Sequence, residues 1–298
     1  MTDLITLVAE PTPDSALLDS GHGRKWERYG PVCVIRPEPQ ALWAPAREEW
    51  TADAEFVPGP DEEGGGRWVQ HRPSQSGPMP AEWPLGWENV RFHASLTPFR
   101  HLAFFPDMAP QWAWMRERLG VDSEALNLFG YTGVGTLAMA STGARMVHVD
   151  ASRKSVEAAR RNAVLSDMAD ATIRWLVEDA AKFAAREVRR GRRYDGIILD
   201  PPKFGRGPNG ETWRLETSLP PLIANLARLL DDRSRFLVLT AYAVRMSAHA
   251  LAELLRQALG DLGGMVEAGE MTVREDARGL LLPTAIFARW SRDVSVER

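Results

Sequence analysis

From about residue 96 onward, strand-like and helix-like stretches alternate along the chain. That alternation predicts an α/β fold built on a mostly parallel sheet with right-handed crossovers. Two local features agree with it. A glycine-rich turn at 130–135 follows the first strand, and the next three strands end in acids at Asp150, Asp179 and Asp200. Residues 1–95 read differently, as a small β-rich domain, so the chain divides into 1–95 and 96–298.

The N-terminal part is rich in proline, glycine and tryptophan. Short strand-like runs at 32–35 and 67–70 are set apart by turn signals at 36–39, 59–61, 63–66 and 77–78. Trp26, Trp43, Trp50, Trp68, Trp83 and Trp87 are read as packing residues rather than base-stacking platforms. A small β region needs large apolar side chains to make a core. Beyond it, strands are expected at 125–129, 146–150, 172–177, 194–200 and 235–240, and helices at 134–141, 152–165, 180–190, 219–230 and 248–259. The helix from 152 opens on Ser152 as N-cap and places Val156, Ala159, Ala163 and Val164 on one face. Two last runs, 265–274 and 280–290, are separated by a short turn and predict an antiparallel hairpin at the sheet edge.

Composition narrows the function classes. With 298 residues and a net charge of −4, the chain is not a basic nucleic-acid-binding domain as a whole, although local contact stays open. The basic run at 186–193 has two readings, a helix end whose cations suit the dipole or a contact for RNA. No apolar run is long enough to span a bilayer and no leader pattern opens the sequence, so no membrane partner is expected. The single cysteine, Cys33, excludes an internal disulfide and suits a reducing cytoplasm, the expected location. The six histidines show no ligand spacing, so no metal site is expected.

The candidate site gathers where the strands end. In open α/β sheets ligands bind outside the strands' carboxyl ends. Phe129, Gly130, Tyr131, Thr132 and Gly133 form a turn whose glycines permit positive φ and close approach of a ligand. A nicotinamide cofactor and S-adenosylmethionine both suit such a turn, but its spacing misses the dinucleotide fingerprint. Asp150, followed by Ala151, can accept both hydroxyls of a ribose. Asp179 either caps the next helix or receives an adenine amino group, with the Ala180 amide beside it. The fourth strand ends in Asp200-Pro201-Pro202-Lys203-Phe204, where the two prolines stop further pairing and leave the carboxylate projecting. Residues 205–210 read as a flexible loop and a substrate lid. Lys203, Arg206 and Arg214 either meet a phosphate or are solvated, and Tyr242, placed after the fifth strand, either faces the acceptor or packs in the core.

Together the NLFGYTG turn, HVDAS, VEDA and LDPPKF segments resemble the bacterial 23S rRNA cytosine-C5 methyltransferases and their close relatives over residues 95–298. Residues 17–40 are similar to uncharacterised relatives of that group. The resemblance implies a Rossmann-like class I methyltransferase sheet, S-adenosylmethionine as cofactor, RNA as partner, and Phe105 lining the cofactor pocket. It also implies that Asp200 touches both cofactor and acceptor, with Pro201, Pro202, Lys203 and Phe204 completing the catalytic segment. One departure matters. The family carries a cysteine nucleophile after the fifth strand, and residues 239–244 here contain none. Methylation at a ring carbon needs that thiolate. Direct transfer to a nitrogen or oxygen lone pair does not, and is the expected chemistry. A protein or small-molecule acceptor, and a catalytically silent nucleic-acid-binding relative, are the alternatives.

Overall fold

The computed structural model describes residues 3–59, 65–71, 79–98 and 100–292. The turns expected at 59–61, 63–66 and 77–78 lie wholly or partly outside them. Two compact units emerge. The smaller comprises Val8–Pro110 and Thr272–Pro283; the larger comprises the chain through Leu7, Gln111–Met271 and the chain from Thr284. The boundary drawn at residue 95 lies inside the smaller unit, which also takes in a turn from near the C-terminus.

The first strand, β1 (Leu4–Ala9), is followed by β2 (Ser15–Gly21), β3 (Arg24–Tyr29), β4 (Val32–Pro37), β5 (Ala54–Pro58) and β6 (Gly66–Gln70). Strands β2 to β6 form one sheet in chain order, antiparallel except between β4 and β5. A separate hairpin joins β7 (Trp83–Trp87) and β8 (Val90–Ala94). The tryptophans here direct their indole N–H groups inward: Trp83 to the Tyr29 carbonyl, Trp43 to that of Ser20, Trp50 to Asp19 and Trp68 to the Thr97 carbonyl. The LLDSG segment is structural too. Asp19, fully buried, accepts from the amides of Ser20, Ala46 and Arg47 and from Arg278, which also grips Glu275.

In the larger unit, α1 (Ala109–Arg116) leads into β9 (Glu124–Leu128), α2 (Val134–Ala140), β10 (Arg145–Asp150), α3 (Arg153–Leu165), β11 (Ile173–Val177), α4 (Ala180–Arg189) and β12 (Gly196–Leu199). After the short strands β13 (Phe204–Arg206) and β14 (Thr212–Arg214) come α5 (Leu215–Ala227), β15 (Phe236–Tyr242), α6 (Ala248–Leu259), β16 (Met265–Arg274) and β17 (Leu281–Ser291). The main sheet runs β1-β16-β17-β15-β12-β9-β10-β11. The five strands from β15 to β11 are parallel, and β17 lies antiparallel to β15. The C-terminal hairpin is therefore present, but β1 covers its outer side, so it is not the edge.

Alternation sorts the sheet's two faces. Leu126, Leu128, Val147, Val149, Ile197, Leu199, Leu237 and Leu239 share one core cluster with α4, α5 and α6. On the opposite face Asn127 and His148 meet Thr136 of α2, and Trp114 of α1 packs on Phe236. Helix α5 begins at Leu215, four residues ahead of expectation, and carries Pro220 and Pro221 inside it. Burial of Leu215, Leu219, Leu222, Ile223 and Leu226 on one face outweighs the prolines' missing amides. The arginines at 186–193 are largely consumed within the fold. Arg186 pairs with Glu178, Arg190 with the buried Glu187 at 3.0 Å, and Arg192 with Glu124 at 2.5 Å.

A buried ion pair inside the smaller unit yields a test. Arg36 donates to Glu27 at 2.6 and 2.7 Å, and the Tyr29 hydroxyl adds a bond of 3.0 Å. Burial pushes the Glu27 carboxyl up, but the charges of Arg36 and Lys25 outweigh it and hold it at about 2. Glu27→Gln strands the Arg36 charge and is expected to cost about 3–5 kcal/mol in urea unfolding at pH 7. Because the folded value lies below the unfolded one, near 4.3, this contribution is complete above that pH and fades as pH falls toward about 2. The acid loss should be smaller in the variant; equal stability of both proteins at pH 7 would refute the pairing's importance.

Candidate active site

The site is set by sheet topology. From β9 the chain builds outward to β10 and β11 on one side, whereas β12 and β15 lie on the other, so the order reverses between β9 and β12. Ligand crevices form at such a switch point, where the following connections diverge. Register makes the strands end level: Leu128 stands opposite both Val149 and Leu199, and Leu199 opposite Leu239. The residues just past these positions, Phe129, Asp150 and Asp200, therefore share one rim.

The turn after β9 is held in an unusual conformation. Phe129, Tyr131 and Gly133 have φ of 57°, 48° and 82°, a region that costs side-chain-bearing residues about 1–3 kcal/mol each. Gly130 is required for another reason: a Cβ there would lie 2.5 Å from the His148 ring. That imidazole is fixed from below, with Asn127 donating to the Thr136 hydroxyl at 2.9 Å and the hydroxyl 2.8 Å from His148 Nδ1. Burial lowers His148 to about 3, so the ring stays neutral under the turn. Thr132 is buried, and its carbonyl accepts from Asn162 at 2.9 Å.

Asp150 ties this turn to the next. Its Oδ2 accepts the Tyr131 amide at 2.9 Å and its Oδ1 the Ser152 amide at 2.8 Å, across Ala151. Burial raises its carboxyl above the ordinary value, against the pull of the two amides. An ionised carboxylate offers about four lone-pair positions. One on each oxygen remains for two adjacent hydroxyls. Asp179 is the N-cap of α4, accepting the Lys182 amide at 2.9 Å through Oδ1, and Ala180 begins the helix. The capping reading of Asp179 is thus realised, and only its Oδ2 lies outside the cap.

Past β12, Asp200 is half-buried and Pro201 buried, while Pro202, Lys203 and Phe204 are exposed. The segment at 205–210, expected to be a flexible loop and a substrate lid, begins in β13 and forms most of the turn of an antiparallel hairpin, with Phe204 opposite Arg214 and Gly205 opposite Trp213. Its cause is an unforeseen anchor. Trp213 is buried, donates its indole N–H to the Pro202 carbonyl at 2.7 Å, and lies 4.9 Å from the Phe129 ring between centroids. The Leu215 amide closes the hairpin base on the Lys203 carbonyl at 3.0 Å, and Lys182 pairs with Glu211 near its tip. Trp213 thereby joins the Asp200 segment to the glycine turn.

The remaining expected residues sit on other elements. Tyr242 is the last residue of β15 rather than beyond it. Phe105 belongs to the smaller unit, where it precedes the 3-10 turn Pro106–Met108 and its ring lies 5.4 Å from His101. Cys33, on β4 of that same unit, has a thiol pushed up by burial and by Asp53, the reverse of an activated thiolate. Among the described residues no three His, Cys, Asp or Glu gather as a metal site, and no helix is long and apolar enough to cross a membrane.

A family model of S-adenosylmethionine-dependent methyltransferases matches residues 67–231. The chain belongs to that family. This methyltransferase chain is 41% identical to the S-adenosylmethionine-dependent methyltransferase from Agrobacterium tumefaciens, whose crystal structure superposes over 96% of this chain and 93% of that one with a TM-score of 0.90. It is 35% identical over 88 residues to ribosomal RNA large subunit methyltransferase I of Tolumonas auensis, covering 29% of this chain and 22% of that protein. It is also 32% identical over 125 residues to ribosomal RNA large subunit methyltransferase K/L of Syntrophotalea carbinolica, covering 42% and 17%. The matches thus span about a fifth of those two curated relatives. The Rossmann-like sheet and the β-rich N-terminal part agree with expectation, as does the cofactor class. The unspent lone pairs of Asp150 suit the two ribose hydroxyls of the family's methyl donor. Asp150→Ala should weaken adenosylhomocysteine binding about ten- to a hundredfold in calorimetric titration, the worth of a charged hydrogen bond. Unchanged affinity would remove Asp150 from the site.

Proposed function

We propose that this methyltransferase transfers a methyl group directly to a nitrogen of an RNA base, with ribosomal RNA as the substrate class. The observation that carries the chemistry is the Asp200-Pro201-Pro202 corner standing level with Asp150 at the switch point. The printed names of the curated relatives support RNA as acceptor. When bound, the donor supplies a sulfonium-activated methyl group. The protein's task is then to orient the acceptor in line with it.

Asp150 would hold the donor's ribose, with the turn from Phe129 to Gly133, Ala151, Asp179 and Ala180 around it. An exocyclic amine conjugated to a base holds its lone pair in the ring. Accepting its N–H groups at Asp200 and at the Pro201 carbonyl makes the nitrogen more tetrahedral and aims that pair. The hairpin supports this assignment by what it consumes. Trp213 takes the Pro202 carbonyl and Leu215 that of Lys203, so the hairpin leaves Pro201's carbonyl untouched. A covalent route is disfavoured because β15 and residues 243–244 carry no cysteine.

Tritium transfer from labelled donor to total RNA and to total protein, both from cells lacking this protein, tests the acceptor. Label in RNA is expected, and label in protein alone would favour the second acceptor class. Asp200→Ala should mainly lower turnover, at least about a hundredfold, as expected for a misplaced acceptor, with a smaller effect on donor affinity. Undiminished turnover would exclude its role. Cys33→Ser should retain full turnover; a folded but inactive variant would restore the thiolate route.

A further inference from the structure

The hairpin beside Asp200 has two chemically different faces. Side chains alternate along a strand, so the register places Gly205 and Trp213 together on one face, and Phe204, Arg206, Thr212 and Arg214 on the other. The first face is turned inward. Trp213 is buried against Pro202 and Phe129, and a Cβ at Gly205 would meet the Pro202 ring at 3.3 Å. All four residues of the second face are exposed, Phe204 to 46%.

That face pairs an aromatic ring with two guanidinium groups. Arg206 and Arg214 enter no ion pair among the described residues, in contrast to Arg186, Arg190 and Arg192, which are held by internal carboxylates. In a chain of net charge −4, these two unpaired cations stand beside the Asp200 segment. The hairpin is also held in place. Its base is fixed by Trp213 and Leu215, and the Lys182–Glu211 pair ties its tip to the start of α4. Exposed aromatics stack on bases irrespective of sequence, and arginines track the phosphates of a single strand.

We infer that the outer face of this hairpin binds the single-stranded RNA segment flanking the acceptor base, with Phe204 stacked on a neighbouring base and Arg206 and Arg214 on backbone phosphates. This inference rests on the RNA reading of the site and extends it to a surface. Phe204 and Arg206 stand two residues apart on one face, about 7 Å, which lets one ring and one guanidinium engage successive parts of a strand. Thr212, between the arginines on that face, offers a hydroxyl to the same backbone.

The test uses the whole protein with adenosylhomocysteine bound and a fluorescein-labelled single-stranded RNA 12-mer of mixed sequence, titrated by anisotropy at several salt concentrations. Phe204→Ala should weaken RNA binding about five- to a hundredfold, the worth of one stacked base. Arg206→Gln with Arg214→Gln should weaken it most at low salt and flatten log K against log salt by about 1.4, about 0.7 for each phosphate contact. Adenosylhomocysteine affinity, measured alongside, should match the wild type in the arginine double variant and so report an intact fold. Wild-type RNA affinity and salt slope in both variants would overturn the hairpin surface while leaving RNA methylation standing. A wild-type protein that neither binds the 12-mer nor labels RNA would overturn both readings; failure to bind the 12-mer while still labelling RNA would overturn the hairpin surface alone.

Discussion

The Asp150 carboxylate fastens two loops that the sheet alone would leave independent. One oxygen takes the Tyr131 amide from the turn after β9, and the other takes the Ser152 amide at the entrance to α3. Two non-glycine residues of that turn, Phe129 and Tyr131, sit at positive φ at a combined cost of roughly 2–6 kcal/mol. The Tyr131 bond to this charged acceptor contributes roughly 1.5–3 kcal/mol and so offsets part of that cost. The turn's shape is thus sustained in part by the carboxylate that the ligand would also use. Beneath it, the neutral His148 ring fills the space that only a glycine at 130 leaves open.

The second half of the site depends on Trp213. Its indole N–H reaches the carbonyl of Pro202 while its ring lies against Phe129, so one side chain spans the Asp200 segment and the glycine turn. Proline cannot use its own nitrogen to pair, and the double proline therefore needs outside partners to fix the chain beyond Asp200. The hairpin supplies them. In doing so it presents an apolar inner face to Pro202 and Phe129 and a cationic, aromatic outer one to solvent.

Much of this was legible in the sequence because the central strands are apolar runs buried on both faces, and acids end or follow three successive ones. The strands at 125–129, 146–150 and 235–240 were found within one or two residues of β9, β10 and β15. What escaped depended on distant partners. A run of glycine, proline and asparagine at 205–210 has loop composition, and only the burial of Trp213 makes it a hairpin. The helix was expected from 219, whereas the apolar face of α5 extends back to Leu215. The arginines at 186–193 could not be assigned locally, since Arg192 finds Glu124 across 68 positions of sequence. The Asn127–Thr136–His148 chain left a faint signal, polar residues inside otherwise apolar strands, and β1 gave none of its pairing with the C-terminal hairpin.

The central claim is that the methyl donor lies across the ends of β9, β10 and β12, held at Asp150 and facing Asp200. A crystal structure of the protein with adenosylhomocysteine tests it most directly. The ribose hydroxyls should be found on the two Asp150 oxygens and the sulfur on the Asp200 side of the crevice. Nucleoside bound away from Asp150, or Asp200 turned from the ligand with Pro201 between them, would contradict the account.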